Sequence, residues 1–262
     1  MKRLWLVVLL VLLPVHVHAL TAVELMEQSQ AAFLYPGQDF RVRIHMRLIA
    51  PGGQERVREM VMLRRNEGPP GGDQKYFIAF QRPADVKDMT LMVHKYPAQD
   101  DDRWLFVPAI NMVRRIAAQD KRSSFVGSDF TYEDVSGRDV ASDTHTLLGE
   151  EKVGEADCHK VKSTPNAGDV DYADRISWID KRTFLPLKEE YYDLKGAVIR
   201  VFAAERVEVV AGIPTVVRRS MRNLQTGHRT EVEFSQVAYG IGIEDSLFSE
   251  RFLRQPPRKW LD

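Results

Sequence analysis

Cys158 is the single cysteine of the 262-residue chain, so no intramolecular disulfide can staple the fold. Charge of one sign is also missing. Lysine and arginine number 37 and aspartate and glutamate 37, which removes any global electrostatic reason to bind nucleic acid or an anionic membrane and leaves nucleic acid out of the expected partners. Past the first residues there is no long hydrophobic run, and no Pro/Ser-rich linker, tandem repeat or low-complexity tract. The sequence holds no G-x-S-x-G elbow, P-loop, H-E-x-x-H or C-x-x-C. His45, His94, His145, His159 and His228 stand singly, without metal-ligand spacing. Asp100-Asp101-Asp102 lacks the spaced ligands and glycine of a calcium loop and reads as a solvated loop tip. Cys158 and His159 are neighbours, but neighbours on a strand face opposite ways. No catalytic group, metal site or cofactor is expected.

What is present suits a folded protein: 44% hydrophobic and 28% charged residues. Residues 1–19 read as a secretory signal peptide. Lys2 and Arg3 precede the apolar Leu4–Val15, and Val17-His18-Ala19 places small residues before a cleavage site. The apolar run is shorter than the ~20 residues of a membrane span. No cysteine stands at the processing site to carry a lipid, so an exported soluble protein is expected, periplasmic in a Gram-negative cell. Cleavage leaves 35 cations against 37 acids, a formal charge of −2.

In the mature region, 20–262, Thr21 and Glu24 form a capping-box pattern that predicts a helix over Ala22–Leu34, ended by Pro36-Gly37. The period then changes to two. Phe40, Val42, Ile44, Met46 and Leu48 alternate with polar residues, Pro51-Gly52-Gly53 turns the chain, and Gln54–Arg65 alternates again. Similar segments recur to Ala238, several joined by short turns, which makes neighbours antiparallel. Asp120–Asp143 interrupts them with short helices, and Asp245–Leu253 predicts a C-terminal helix. On a strand one of Glu189 and Glu190 must face water. The fold class is mainly β with helices (α+β), a single domain in which helices pack on one face of a large antiparallel sheet.

Three stretches are distinctive: Trp104-Leu105-Phe106-Val107-Pro108 running to Arg114-Arg115-Ile116, then Gly127-Ser128-Asp129-Phe130-Thr131-Tyr132-Glu133-Asp134, and Trp178–Leu187. With them the mature chain resembles the bacterial outer-membrane lipoprotein-sorting family, relatives of the carrier LolA and the receptor LolB. The resemblance implies an incomplete, strongly curved antiparallel β-barrel of about 11 strands covered by helices, with an apolar cavity for lipid or lipoprotein acyl chains. It also implies a periplasmic, non-enzymatic carrier moving lipid towards the outer membrane, and partnership with a resistance-nodulation-division (RND) type inner-membrane transporter. A monomer is expected.

Candidate cavity residues are Trp104 and Phe106, then Phe125, Phe130 and Tyr132, and the flexible Met46, Met60 and Met62, all of which also suit a packed core. Arg43, Arg114 and Arg115 are candidates for a head group or an acidic partner, although adjacent strand residues such as Arg114 and Arg115 do not share a face. Two other readings stay open: a non-catalytic accessory subunit of an RND-type transporter, and a periplasmic enzyme without a recognisable motif.

Overall fold

The computed structural model describes residues 19–97, 99–167 and 170–261. The leader read in residues 1–19 lies, apart from Ala19, outside the described residues.

Helix α1 spans Ala22–Leu34, as the capping pattern predicts. The Thr21 amide donates to Glu24 Oε2 at 2.7 Å and the Glu24 amide to Thr21 Oγ1 at 3.2 Å. Alternating hydrophobicity then yields β1 (Asp39–Ile49), β2 (Glu55–Glu67), β3 (Asp73–Arg82), β4 (Thr90–Lys95), β5 (Asp102–Val107) and β6 (Met112–Ile116). After the short helix α2 (Tyr132–Ser136) come β7 (Asp143–Val153), β8 (Ala156–Pro165), β9 (Asp174–Asp180), β10 (Pro186–Tyr192), β11 (Val198–Val210), β12 (Ile213–Asn223) and β13 (Arg229–Tyr239). Helix α3, Glu250–Arg254, follows a single turn over Asp245–Leu247. The C-terminal helix expected over Asp245–Leu253 is therefore two short pieces.

The strand count corrects the expectation of about 11 strands in a barrel. Thirteen strands form one open antiparallel sheet in the order β6-β5-β4-β3-β2-β1-β13-β12-β11-β10-β9-β8-β7. Pairing of β1 with β13 joins two meanders at the centre, so every alternating segment enters the same sheet. Its two edges, β6 and β7, are consecutive in sequence. The segment 117–142 that links them carries α2 and passes over one face of the sheet. That face is concave: Met62 on β2 and Glu189 on β10 line one cavity, though five strand spacings would separate them by about 24 Å in a flat sheet.

Register assigns each side chain to a face, since directly paired residues of antiparallel strands share one. One inner row runs Met62, Ile78, Leu91, Leu105 and Arg114 across β2 to β6. The adjacent outer row runs Leu63, Phe77, Met92, Trp104 and Arg115. The inner face holds the main core, with Val42, Ile44, Ile78, Leu91 and Val93 buried together with Phe125 and Phe130 of the crossing segment. On the outer face Val61, Leu63, Phe77, Ala79, Met92 and Phe106 bury against Ile243, Leu247, Phe248 and Leu253 of the C-terminal segment. Helices thus cover both faces, where one face was expected: α1 and α2 inside, α3 outside. The cause is β2 to β5, whose outward positions are as apolar as their inward ones and need their own cover.

The C-terminal segment is fastened by a buried carboxylate. Asp39 accepts backbone N–H groups from Ile241 at 2.7 Å and from Gly242 and Ile243 at 2.8 Å each. Replacing Asp39 with alanine should cost about 1.5–3 kcal/mol by orphaning these donors. Hydrogen exchange is expected to rise first in residues 241–254; exchange that rises uniformly across the sheet would contradict the local role.

Candidate functional site

A cavity of about 1270 Å³, including its open mouth, lies between the inner sheet face, α1 and the crossing segment. Its lid is held from several sides. Gln30 Nε2 of α1 donates to the Arg138 carbonyl at 2.7 Å, and Phe33 meets Phe202 of β11 edge-to-face at 5.9 Å. In α2, Thr131 and Asp134 cap the first turn reciprocally. Upstream, the Asp129 carboxylate takes the Thr230 hydroxyl at 2.7 Å and contacts His228 Nδ1 at 2.6 Å. Gly137 ends α2 at φ +85°, and a Cβ there would come within 2.1 Å of Leu34 Cδ1. The positive φ favours glycine here, and any larger residue would also make the Leu34 side chain turn aside.

Two kinds of wall face each other across this space. Ile44, Met46, Met60, Met62 and Val232 come from β1, β2 and β13, Met221 and Phe202 from β12 and β11, and Phe125 and Phe130 from the lid. Opposite them the inner row Arg200, Tyr191, Arg175, Ser163 and His145 crosses β11 to β7 as a polar ladder. These charges are matched within the wall. Arg200 pairs with Asp134 at 3.1 Å, Arg175 with Glu189 at 3.7 Å and Asp143 at 3.8 Å, and Arg138 with Asp143 at 2.8 Å. Glu189 also accepts from Ser177 Oγ and Tyr191 Oη, each at 2.9 Å. Burial by itself would draw a proton off Arg175, yet Glu189, Tyr172, Tyr191 and Asp143 outweigh it and hold the guanidinium charged.

The candidates named from sequence separate by register. Met46, Met60, Met62, Phe125 and Phe130 line the cavity. Tyr132 packs beside it, edge-to-face with Phe125 at 5.6 Å. Trp104 and Phe106 do not reach it. They stand in outer rows and pack with the C-terminal segment, Trp104 against His94 at 5.1 Å. Arg43 is likewise on the outer face, donating to Gln236 Oε1 at 2.7 Å and to the Leu261 carbonyl at 3.2 Å. Arg114 is exposed at the rim of the inner face, while Arg115 turns outward to Asp102. Trp104 and Phe106, named as cavity candidates for their aromatic character, are placed outside it by strand parity, and Arg43, a candidate for a head group or an acidic partner, also faces outward.

Sequence reasoning missed Arg175, Arg200, Arg219 and Glu189. Glu189 and Glu190 do divide between faces, but Glu189 turns into the cavity and Glu190 outward to Lys188 at 2.7 Å. Parity gave a signal: Arg200 is two residues from Phe202, and Arg219 two from Met221, apolar residues of the same inward face.

Several of the groups considered for chemistry are engaged in the fold. Burial pushes the Cys158 thiol up to about 11, with Asp180 adding to it, so at neutral pH it stays protonated. His145 holds Ser163 Oγ at 2.8 Å through Nδ1 and the Val140 carbonyl at 2.9 Å through Nε2, joining the crossing segment to β8. Asp101 binds Arg103 at 2.5 Å. Among the described residues no His, Cys, Asp and Glu cluster is arranged to hold a metal, and no helix is long and apolar enough to cross a membrane.

A family profile described only as an uncharacterized protein matches residues 72–255. No protein of curated function matches the chain. Among solved structures, a DUF1329 family protein from Desulfovibrio piger is 31% identical, with a TM-score of 0.81 over 88% of this chain and 97% of its own. An outer membrane lipoprotein-sorting protein domain from Vibrio parahaemolyticus is 27% identical, with a TM-score of 0.81 over 89% of this chain and 98% of its own. A LolA superfamily protein from Nitrosomonas europaea shares the fold at 19% identity, with a TM-score of 0.68 over 89% of this chain and 100% of its own. With a relative 31% identical over 88% of its length, the chain belongs to the DUF1329 family, and its open 13-strand sheet with helical cover is the fold it shares with the LolA superfamily protein.

Proposed function

We propose that this protein is a periplasmic carrier that shelters lipid acyl chains in the cavity beneath α1 and moves them towards the outer membrane without a catalytic step. The observation that carries the reading is the apolar wall of Met46, Met60, Met62, Phe202, Met221 and Val232 facing open space inside the sheet. Acyl chains need shape and dryness more than polar contacts. Unbranched methionines, which adopt several shapes at little cost, suit a cargo of variable length. The description of the Vibrio parahaemolyticus relative as a lipoprotein-sorting domain supports the same reading. A monomer working with an RND-type transporter belongs to this proposal as well.

Energetics favour exchange over storage. Moving a chain of about 15 methylenes out of water yields roughly 12 kcal/mol, at about 0.8 kcal/mol each. The donor membrane already shelters the chain, so loading and release lie close to balance and direction comes from donor and acceptor.

Native mass spectrometry with lipid extraction tests occupancy and cargo together. Delipidated protein is expected to take up one fluorescent fatty-acid analogue per chain. Met46→Trp, which fills part of the cavity, should displace about three methylenes and weaken uptake by on the order of 50-fold. Absence of both co-purified lipid and uptake by the wild-type protein would refute the carrier reading.

A further inference from the structure

Five arginines line the cavity, Arg122, Arg138, Arg175, Arg200 and Arg219, against the four carboxylates of Glu133, Asp134, Asp171 and Glu189. Arg138, Arg175 and Arg200 each hold a carboxylate within the wall. Arg219 on β12 does not. It stands in the inner row between Ala204 and Val232, and among the described residues it makes neither an ion pair nor a side-chain hydrogen bond. Its guanidinium lies instead over two rings, 4.5 Å from the Phe234 centroid and 5.4 Å from that of Phe33 on α1. It borders both the main cavity and a second, smaller one on its other side. Burial draws its pKa down to about 10, opposed only by the Tyr76 phenol, so at neutral pH it is a charged cation without an ion-pair partner among the described residues, standing beside the apolar Val232 and Met221.

A half-buried charge without a counter-ion is costly, and an arginine fork that borders a cavity is shaped for a carboxylate or phosphate. A sheet that needed only bulk at this position would gain by carrying an apolar side chain there. The aromatic pair does not neutralise the cation; it fixes the orientation of the fork.

We propose that Arg219 is the anion receptor of the cavity, so that the preferred cargo is a single-chain amphiphile whose carboxylate or phosphate enters the cavity and pairs with Arg219 while its chain lies along Met46, Met60 and Met62. This rests on the carrier reading and narrows it. A head group buried with its chain distinguishes such a cargo from one whose chains alone are sheltered and whose polar part stays outside.

The test compares three ligands with the same C16 chain, palmitate, hexadecyl phosphate and hexadecanol, on the delipidated full-length mature protein, by displacement of a fluorescent fatty-acid probe. Wild type should bind at least one of the anions about tenfold or more tightly than the alcohol, as a charge-assisted pair provides, and the favoured anion identifies the head group. Arg219→Met should abolish that preference and leave hexadecanol affinity unchanged; Arg219→Lys, which keeps the charge but loses the fork, should retain part of it. Unchanged hexadecanol binding shows that the Met variant is folded, and a melting temperature at or above wild type is expected once the unpaired charge is gone. Equal affinities for the three ligands in wild type would overturn the Arg219 assignment while leaving the carrier reading intact. Failure of all three to bind would overturn both.

Discussion

Arg175→Met is expected to destabilise the protein by about 3 kcal/mol or more, the usual cost of leaving buried carboxylates without their cation. Arg175 sits at the middle of the polar ladder, flanked on the same row by Tyr191 and Ser163. Its side chain is 15% exposed and those of its partners Asp143 and Glu189 are 1% and 14% exposed, so solvent screens the pairs little. Glu189 would keep the Ser177 and Tyr191 hydroxyls, and Asp143 would keep Arg138. Those remaining partners place the cost at the lower end of the range for a broken buried pair, about 3–5 kcal/mol. For a domain of this size the melting temperature should fall by roughly 6–12 °C. The double variant Arg175→Met/Glu189→Leu should recover a large part of the loss, because an ion pair exchanged whole for apolar side chains is often neutral. A single variant within about 0.5 kcal/mol of wild type, the range of ordinary surface changes, would show that the ladder's charges are solvated and that this wall is open to water.

The ladder also bears on cargo. Arg200, Arg175 and Arg138 are matched to carboxylates, so this side presents little net charge to the cavity, whereas Arg219 holds no carboxylate among the described residues. An acyl chain lying on the methionine side meets dispersion contacts only. The arrangement separates two tasks, shelter by the side chains of β1, β2 and β13 and anion pairing by β12, and the Arg175 and Arg219 variants address them separately.

How far the sequence carried the fold depended on parity. Along β1 the alternation of Phe40, Val42, Ile44, Met46 and Leu48 with Arg41, Arg43, His45 and Arg47 marks the inner face directly, and the structure keeps it. On β2 to β5 the alternation fades, because Met60, Val61, Met62 and Leu63 are all buried. A strand covered on both sides shows no period, and the second cover, residues 243–253, lies far along the chain. Trp104 and Phe106 fell on the wrong side for that reason. Met46, Met60 and Met62 did not, since their partners Val232, Ile44 and Ile78 share their face. The charged residues of the cavity were harder still to read. An arginine on a strand signals solvent unless something shows that its face is enclosed, and the enclosure of Arg200 and Arg219 is made by α1 and residues 122–140 in three dimensions.

The outer face supplies the second large expected effect, and it separates folding from binding. Phe77 is fully buried on β3, opposite Leu63 of β2 and Met92 of β4, and packs in the cluster that Ile243, Leu247, Phe248 and Leu253 complete. Phe77→Ala should cost about 3–5 kcal/mol, the transfer term of the ring plus the void it leaves between a paired sheet and a segment held by Asp39. Its neighbour Ile78 is equally buried but belongs to the inner core, so two consecutive residues report on opposite faces. In Phe77→Ala protein held well below its melting transition, the affinity for the fluorescent fatty-acid analogue should match wild type, since the lost ring borders no part of the cavity. Hydrogen exchange should rise in residues 243–253 and along the outer side of β3, with α1 still protected. If uptake instead fell in step with stability, the two faces would be coupled through the sheet, and the C-terminal cover would have to be counted as part of the carrier's working surface.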